Sequence, residues 1–234
     1  LIPASIPPPV WELADPSKAE AGEDLVAIGG GLDPGTVLTG YARGMFPMEV
    51  SLGADLGGGS TLGWWSPDPR GVLFPGNLRV SRSLARSVRR FETTVDHAFV
   101  EVMHACAEPT RPNGWITEAF IDAYVELHRM GFAHSVEVWD GTDLVGGLYG
   151  VEVGGLFAGE SMFHRVRDAS KVALVALVER ILSCPGDRAI DVQWRTDHLA
   201  SLGVVELARG DYLQQLPALC SLDPCIPTDS DSAL

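Results

Sequence analysis

With 234 residues, the chain can build one large domain or two small ones around a substantial core. Its 31 acidic against 17 basic side chains leave a formal charge of -14, so the average surface repels phosphate and any nucleic-acid contact must be local. No run of about 18 apolar residues offers a membrane span, and the start LIPASIPPPV lacks the layout of a secretory signal, which together imply a cytoplasmic protein.

Residues 1–24 are proline-rich and then acidic, the composition of an extended arm laid over a surface. Asp33 and Pro34 offer a helix start and Gly44 a stop. Gly29, Gly30 and Gly31 make a tight turn, because no GxGxxG stands inside a βαβ unit. Residues 50–63 read as a glycine-rich loop running into Trp64 and Trp65, which point to opposite faces if extended, so that one can enter a core and the other face a cleft; core packing of both is the alternative. RVSRSLARSVRR has helical spacing, with Ser81 as its cap and Leu84 and Val88 on one face. Arg79, Arg82, Arg86, Arg89 and Arg90 have no interleaved acids to pair with, so they mark a phosphate-binding surface; a solvated helix face is the alternative.

A strand through Thr93–Val95 and a helix from about Asp96 to Ala107 follow. RPNGW makes a turn, and Ile116 to Met130 is an amphipathic helix with Thr117 as cap, Gly131 as stop and Ala119, Tyr124 and Leu127 toward a core. From His134 the pattern changes: HSVEVW, a turn at Asp140-Gly141, LVGGLYGVEV, a turn at Gly154-Gly155 and LFAGESMF make an antiparallel meander. Gly146, Gly147 and Gly150 weaken its middle strand and imply that something approaches that backbone closely. Asp168 or Ser170 caps a helix that is apolar nearly all round and so is buried on the meander. AIDVQW returns parallel to the strand before that helix, TDHLASLG is a short helix ending at Gly203, and VVEL closes the sheet. Cys106, Cys184, Cys220 and Cys225 show neither a CxxC pair nor zinc spacing and read as idle thiols.

Meander, buried helix, parallel strand, short helix and closing strand is the order of the acetyltransferase-like fold, whose middle strands splay into an acyl-donor cleft. The expected class is therefore α+β, with an acetyltransferase-like (GNAT-like) mixed-sheet domain over residues 132–215, a smaller N-terminal α/β domain over 25–131 and an acidic tail over 216–234. RVRDASK has no glycine and an added aspartate where a coenzyme A pyrophosphate would meet the helix start, which disfavours coenzyme A. GMFPM, WWSPDPR, VSRSL, NGWIT, HSVEVW, LVGGLYG, FAGESMF, DASKVAL, DVQ and DHLASLG, in this order from about Leu25 to Leu213, resemble the leucyl/phenylalanyl-tRNA–protein transferases.

The resemblance implies transfer of Leu or Phe, and sometimes Met, from a tRNA ester to proteins beginning with Arg or Lys, which marks them for degradation. It implies no metal and no coenzyme A; no cofactor is expected, and a monomer is the working expectation although no residue pattern fixes the oligomeric state. It places the catalytic pair at Asp191 and Gln193, with Asp191 taking or relaying the amine's proton and Gln193 orienting ester or amine. The two are also two apart on a strand and so share a face. Glu160 and Ser161, in the Gly-Glu-Ser corner, are candidates for the acceptor N-terminus, since a negative pocket selects a cation; a Glu satisfying its own turn is the alternative. Leu148, Phe157 and Met162 match the donor side-chain pocket, with plain core packing as the alternative. Trp65 and Trp115 are candidates for stacking on the terminal adenosine, and the arginine helix for the acceptor stem. Two positions depart from the family: Met48 replaces a frequent aromatic, and Leu148 a frequent Met. The rival readings are a coenzyme A-dependent N-acetyltransferase and a non-catalytic binder of basic N-termini.

Overall fold

The computed structural model describes residues 5–51, 58–108 and 115–226. The N-terminal arm crosses the start of the first helix, where Thr36 Oγ1 accepts the amides of Val10 and Trp11. Strand β1 (Leu25–Ile28) leads to α1 (Pro34–Ala42), whose cap Asp33 accepts the Thr36 amide and whose exit at Gly44 takes φ 80°. Of the glycine-rich stretch 50–63 expected to be a loop, both ends are strand, β2 (Phe46–Ser51) paired antiparallel with β3 (Ser60–Trp65), while residues 52–57 lie outside the described residues; β1 pairs with the other edge of β3 to complete a three-stranded sheet. Local composition pointed to a loop, whereas Gly63 is held in β3 by pairing with Ile28 and Met48 on its two neighbours.

Strand β4 (Arg70–Leu73), α2 (Arg82–Val88), β5 (Glu92–Val95), α3 (Phe99–Cys106) and α4 (Glu118–Arg129) follow. Helix α3 starts later than Asp96, which takes φ 61° and turns its carboxylate to His134 and the Ser135 amide. Tyr124 and Leu127 are buried on α4 as expected, but Ala119 is exposed and Phe120 and Ile121 fill the core instead. The RPNGW turn lies outside the described residues apart from Trp115.

The meander is β6 (Ala133–Asp140), β7 (Asp143–Val153) and β8 (Leu156–His164), followed by α5 (Ala169–Leu182), β9 (Ala189–Gln193), α6 (Asp197–Ser201), β10 (Val205–Leu207) and α7 (Arg209–Cys220). Strand β9 pairs parallel with β8 after the crossover through α5, as expected. The seven-stranded sheet runs β10-β4-β9-β8-β7-β6-β5, so it draws β4 and β5 from before residue 132, where the pattern change suggested a boundary. Long-range pairing of this kind leaves no local trace in sequence.

Helices α5 and α2 cover one face of this sheet, and α3 and α4 with the small N-terminal unit cover the other. The glycines of β7 answer to these neighbours: a Cβ on Gly146 would stand 2.5 Å from that of Ala169 on α5, and one on Gly150 would stand 2.4 Å from the Phe157 ring. Helix α7, within and beyond the segment read as the end of the domain and an acidic tail, packs Tyr212, Leu216 and Leu219 against Val72, Leu156 and Ala189. Cys184 and Cys225 form a disulfide rather than buried or idle thiols, and Cys106 and Cys220 are not disulfide-bonded. Among those residues no helix is long and apolar enough to cross a membrane.

Candidate active site

Strands β8 and β9 pair only over Leu156–Ala158 against Ala189–Asp191. Past Ala158 they part, and the gap opens into a cavity of about 310 Å³ beneath α5. Its walls are apolar: Leu148, Phe157 and Met162 from the meander, Leu174 and Leu177 from α5, and Ile190 from β9. Its rim is polar, with Glu160, Ser161, Gln193, Thr196 and His198. The structure thus brings six of the sequence-selected residues to one hollow, and the Phe157 ring is both core and wall.

Asp191 is not at this rim. Its side chain is 1% exposed, and both oxygens are occupied: Oδ1 accepts Arg70 Nε (2.8 Å) and the Gln193 amide (2.9 Å), while Oδ2 accepts Arg70 Nη2 (2.5 Å) and the Tyr212 hydroxyl (2.9 Å). Arg70 is held in turn between the Phe46 and Tyr212 rings and donates to the Gly44 carbonyl. Burial and the Asp191 charge push the Tyr212 hydroxyl well above its ordinary range, so it stays a donor. This is a fixed buried anion, and a direct proton acceptor needs an open face.

The simple alternation that puts Asp191 and Gln193 on one face fails at Gln193, which takes φ 58° beside a register shift between β4 and β9. A left-handed turn at a non-glycine residue is uncommon and is sustained here by the amide bond to Asp191. It swings the Gln193 side chain into the slot, where Nε2 is buried with no hydrogen-bond partner among the described residues.

Across the slot, Glu160 Oε2 faces the Tyr124 hydroxyl (3.4 Å), which meets the Tyr41 hydroxyl (2.5 Å). Glu160 Oε1 is buried and has no partner among the described residues. Burial raises the Glu160 carboxyl to about 8, with the Asp191 charge adding to the rise and Tyr41, Tyr124 and Arg70 opposing it. It therefore titrates in the range where an α-amino group does.

Trp65 and Trp115 are half-buried and lie outside the slot lining: Trp65 donates to the Met48 carbonyl and packs its edge on Trp194, and Trp115 packs on Phe120. Arg79, Arg82, Arg86, Arg89 and Arg90 are all exposed around α2, and Ser81 caps that helix as expected. Arg90 alone of the five has a described ion pair, to Asp140 at 2.5 Å. Sequence reasoning missed Arg70, Tyr212, Tyr41 and Tyr124. Arg70 stood in WWSPDPR with no local signal of a partner 121 residues away. Among the described residues no cluster of His, Cys, Asp and Glu is arranged to hold a metal ion.

Comparison with known proteins shows that the family model described as leucyl/phenylalanyl-tRNA protein transferase matches residues 72–217, and the model for that family's N-terminal domain matches residues 30–68. The leucyl/phenylalanyl-tRNA–protein transferase of Anaeromyxobacter sp. (strain Fw109-5) is 50% identical over 207 residues, covering 86% of this chain and 84% of that one. That of Oleidesulfovibrio alaskensis is 47% identical over 215 residues, covering 88% and 83%. Among solved structures, a GCN5-related N-acetyltransferase from Kribbella flavida aligns at a TM-score of 0.39 and 13% identity over 61% of this chain and 55% of that one.

Proposed function

The chain belongs to the leucyl/phenylalanyl-tRNA protein transferase family, and from that premise we propose that the slot under α5 receives the Leu or Phe side chain of an aminoacyl-tRNA while the N-terminal amine of an acceptor protein attacks the ester beside Gln193 and Glu160. The activity is aminoacyl transfer from tRNA to protein; coenzyme A-dependent acetylation and passive binding are not favoured. The finer reading is that the acceptor begins with Arg or Lys and that the enzyme works as a cytoplasmic monomer.

One observation carries the mechanism: a buried donor and a buried acceptor, each without a hydrogen-bond partner among the described residues, belong to side chains that line a single apolar hollow. Gln193 Nε2 donates to the ester carbonyl and strengthens its bond as negative charge develops there. Glu160 Oε1 accepts from the incoming amine, orients it and takes the proton released as nitrogen bonds to carbon. The carbon–oxygen bond to the ribose then breaks, and the proton passes to the departing hydroxyl. Asp191 works at one remove, by holding the Gln193 backbone. Much of the catalysis is alignment, since aminolysis of an activated ester is downhill and an amine with pKa near 8 is already partly neutral. Burial of the donor side chain contributes about 1.5 to 3 kcal/mol, enough to reject small or polar residues.

Labelled Leu-tRNA and Phe-tRNA incubated with peptides beginning in Arg, Lys, Ala or Asp test this reading. Label should pass to the first two peptides with release of free tRNA. Equal labelling of all four would overturn the acceptor preference, and ester hydrolysis with no labelled peptide would overturn the assignment of the rim.

A further inference from the structure

The acyl slot is one of three neighbouring hollows that share walls. His198 lines both the slot and a second cavity of about 520 Å³, whose other walls include His164, Arg165, Arg167 and Lys171. Arg167, Asp168 and Lys171 then line a third cavity, of about 400 Å³, which reaches Arg79 and Ser81 at the start of α2. Four cationic side chains therefore line the second and third cavities, where Asp168 is the one lining carboxylate among the described residues and Arg165 is paired from outside the lining with Glu108 at 3.0 Å. In a chain of net charge -14 this concentration is local.

That carboxylate is spoken for. Asp168 takes φ 68° instead of capping α5, and its oxygens accept Lys171 Nζ (3.3 Å) and the Ser87 hydroxyl (3.2 Å). The Arg167 side chain is 90% exposed, with its nearest carboxylate contact at 3.9 Å. Burial, then Lys171 and then His164, lowers the pKa of His198, and Asp168 only partly offsets them. Like charges crowded around a hollow create a positive potential that an anion relieves, and the positive end of the α5 dipole, where Ser170 and Lys171 meet the second cavity, adds to it.

We propose that the two outer cavities form a channel for the phosphodiester backbone of the single-stranded 3′ end of the donor, carrying it from the acyl slot to the arginines of α2, with Lys171 and Arg167 as its principal phosphate contacts. The inference rests on the donor being an aminoacyl-tRNA, and it adds residues from the loop before α5 and from α5 itself to a surface that sequence reasoning confined to α2. The shared walls are what bring the slot next to the arginines, because no residue of α2 lines the slot itself.

The test compares two donors, Phe-tRNA and phenylalanyl-adenosine, which carries the same ester but no phosphate. For Arg167→Ala with Lys171→Ala, the loss of transfer should be at least tenfold greater with Phe-tRNA than with phenylalanyl-adenosine. The slope of log binding constant against log salt for tRNA should fall by about 1.4, from about 0.7 for each single-stranded phosphate contact. The charge-keeping pair Arg167→Lys with Lys171→Arg should restore most of the affinity. An unchanged slope with unchanged tRNA affinity overturns the channel, as does an equal loss with both donors that the charge-keeping pair fails to rescue. A wild-type protein that transfers from neither donor would sink the aminoacyl-transfer reading instead, and the channel would then stand or fall on the salt slope of tRNA binding. Competition by coenzyme A as strong as that by a CCA trinucleotide would overturn the assignment to a polynucleotide backbone.

Discussion

Replacing Asp191 by Ala removes one half of a buried ion pair, and its partner sets the consequence. Arg70 is 1% exposed at its side chain, bound bidentately at 2.8 and 2.5 Å and sandwiched by two rings, so without Asp191 its charge has no compensating anion at hand. Breaking such a pair from one side typically costs about 3–5 kcal/mol, and Arg70→Ala should cost a similar amount by stranding the carboxylate. Replacing both, as Arg70→Met with Asp191→Leu, removes both desolvation costs and should recover most of that loss, less roughly 1 kcal/mol for the Tyr212 hydroxyl left without its acceptor. Function should not recover, because the Gln193 amide has lost the bond that sustains its left-handed turn. Urea unfolding of the four proteins gives the coupling energy, and transfer rates at saturating tRNA give the second readout. Full activity in the double variant would refute the idea that Asp191 acts by holding Gln193. A loss below about 1 kcal/mol in either single variant would refute the energetic reasoning.

Three further outcomes are expected. Because the Glu160 carboxyl is raised to about 8, transfer should climb with pH through that region as the proton acceptor ionises, and Glu160→Gln should remove this limb while lowering the rate by about 100-fold or more. The same shift works oppositely on stability: the folded protein holds a proton that the unfolded chain has shed, so stability falls as pH rises from the ordinary carboxyl range to about 8, and urea midpoints of Glu160→Gln should show a smaller decline. Met162→Ala should widen the slot and shift kcat/KM toward Phe over Leu by up to about tenfold, measured by competition between the two charged tRNAs. Reducing Cys184–Cys225, which spans a separation of 41 residues, should lower unfolding free energy by roughly 4 kcal/mol while leaving transfer by the folded protein intact, since neither cysteine lines the slot.

Where side-chain periodicity and turn chemistry decide, the sequence was readable. Asp140-Gly141 and Gly154-Gly155 define the meander, and the nearly uniform apolarity of α5 identifies the helix buried upon it. The walls of the slot were legible as well, though only the resemblance separated Leu148 and Met162 from ordinary core. What escaped notice depends on residues meeting across long stretches of chain: β4 entering the large sheet, the Arg70–Asp191 pair and the Cys184–Cys225 bond. Helix α7 was missed because Pro217 and a weak apolar face look like the end of a domain, although Tyr212 on it completes the Asp191 cage. Gln193 shows how a single backbone angle can override strand alternation, and nothing in the residues Asp-Val-Gln announces it.

The cage around Asp191 has a consequence for biosynthesis. Its guanidinium arrives on β4 and its phenol on α7, from widely separated parts of the chain. A ribosome extrudes the greasy walls before the phenol that secures the corner behind them, so a stalled or clipped polypeptide would carry the pocket without its latch. Such a fragment lacks the hydroxyl that fastens Asp191, and with it part of the hold on the Gln193 backbone, so the geometry of this corner depends on the arrival of α7.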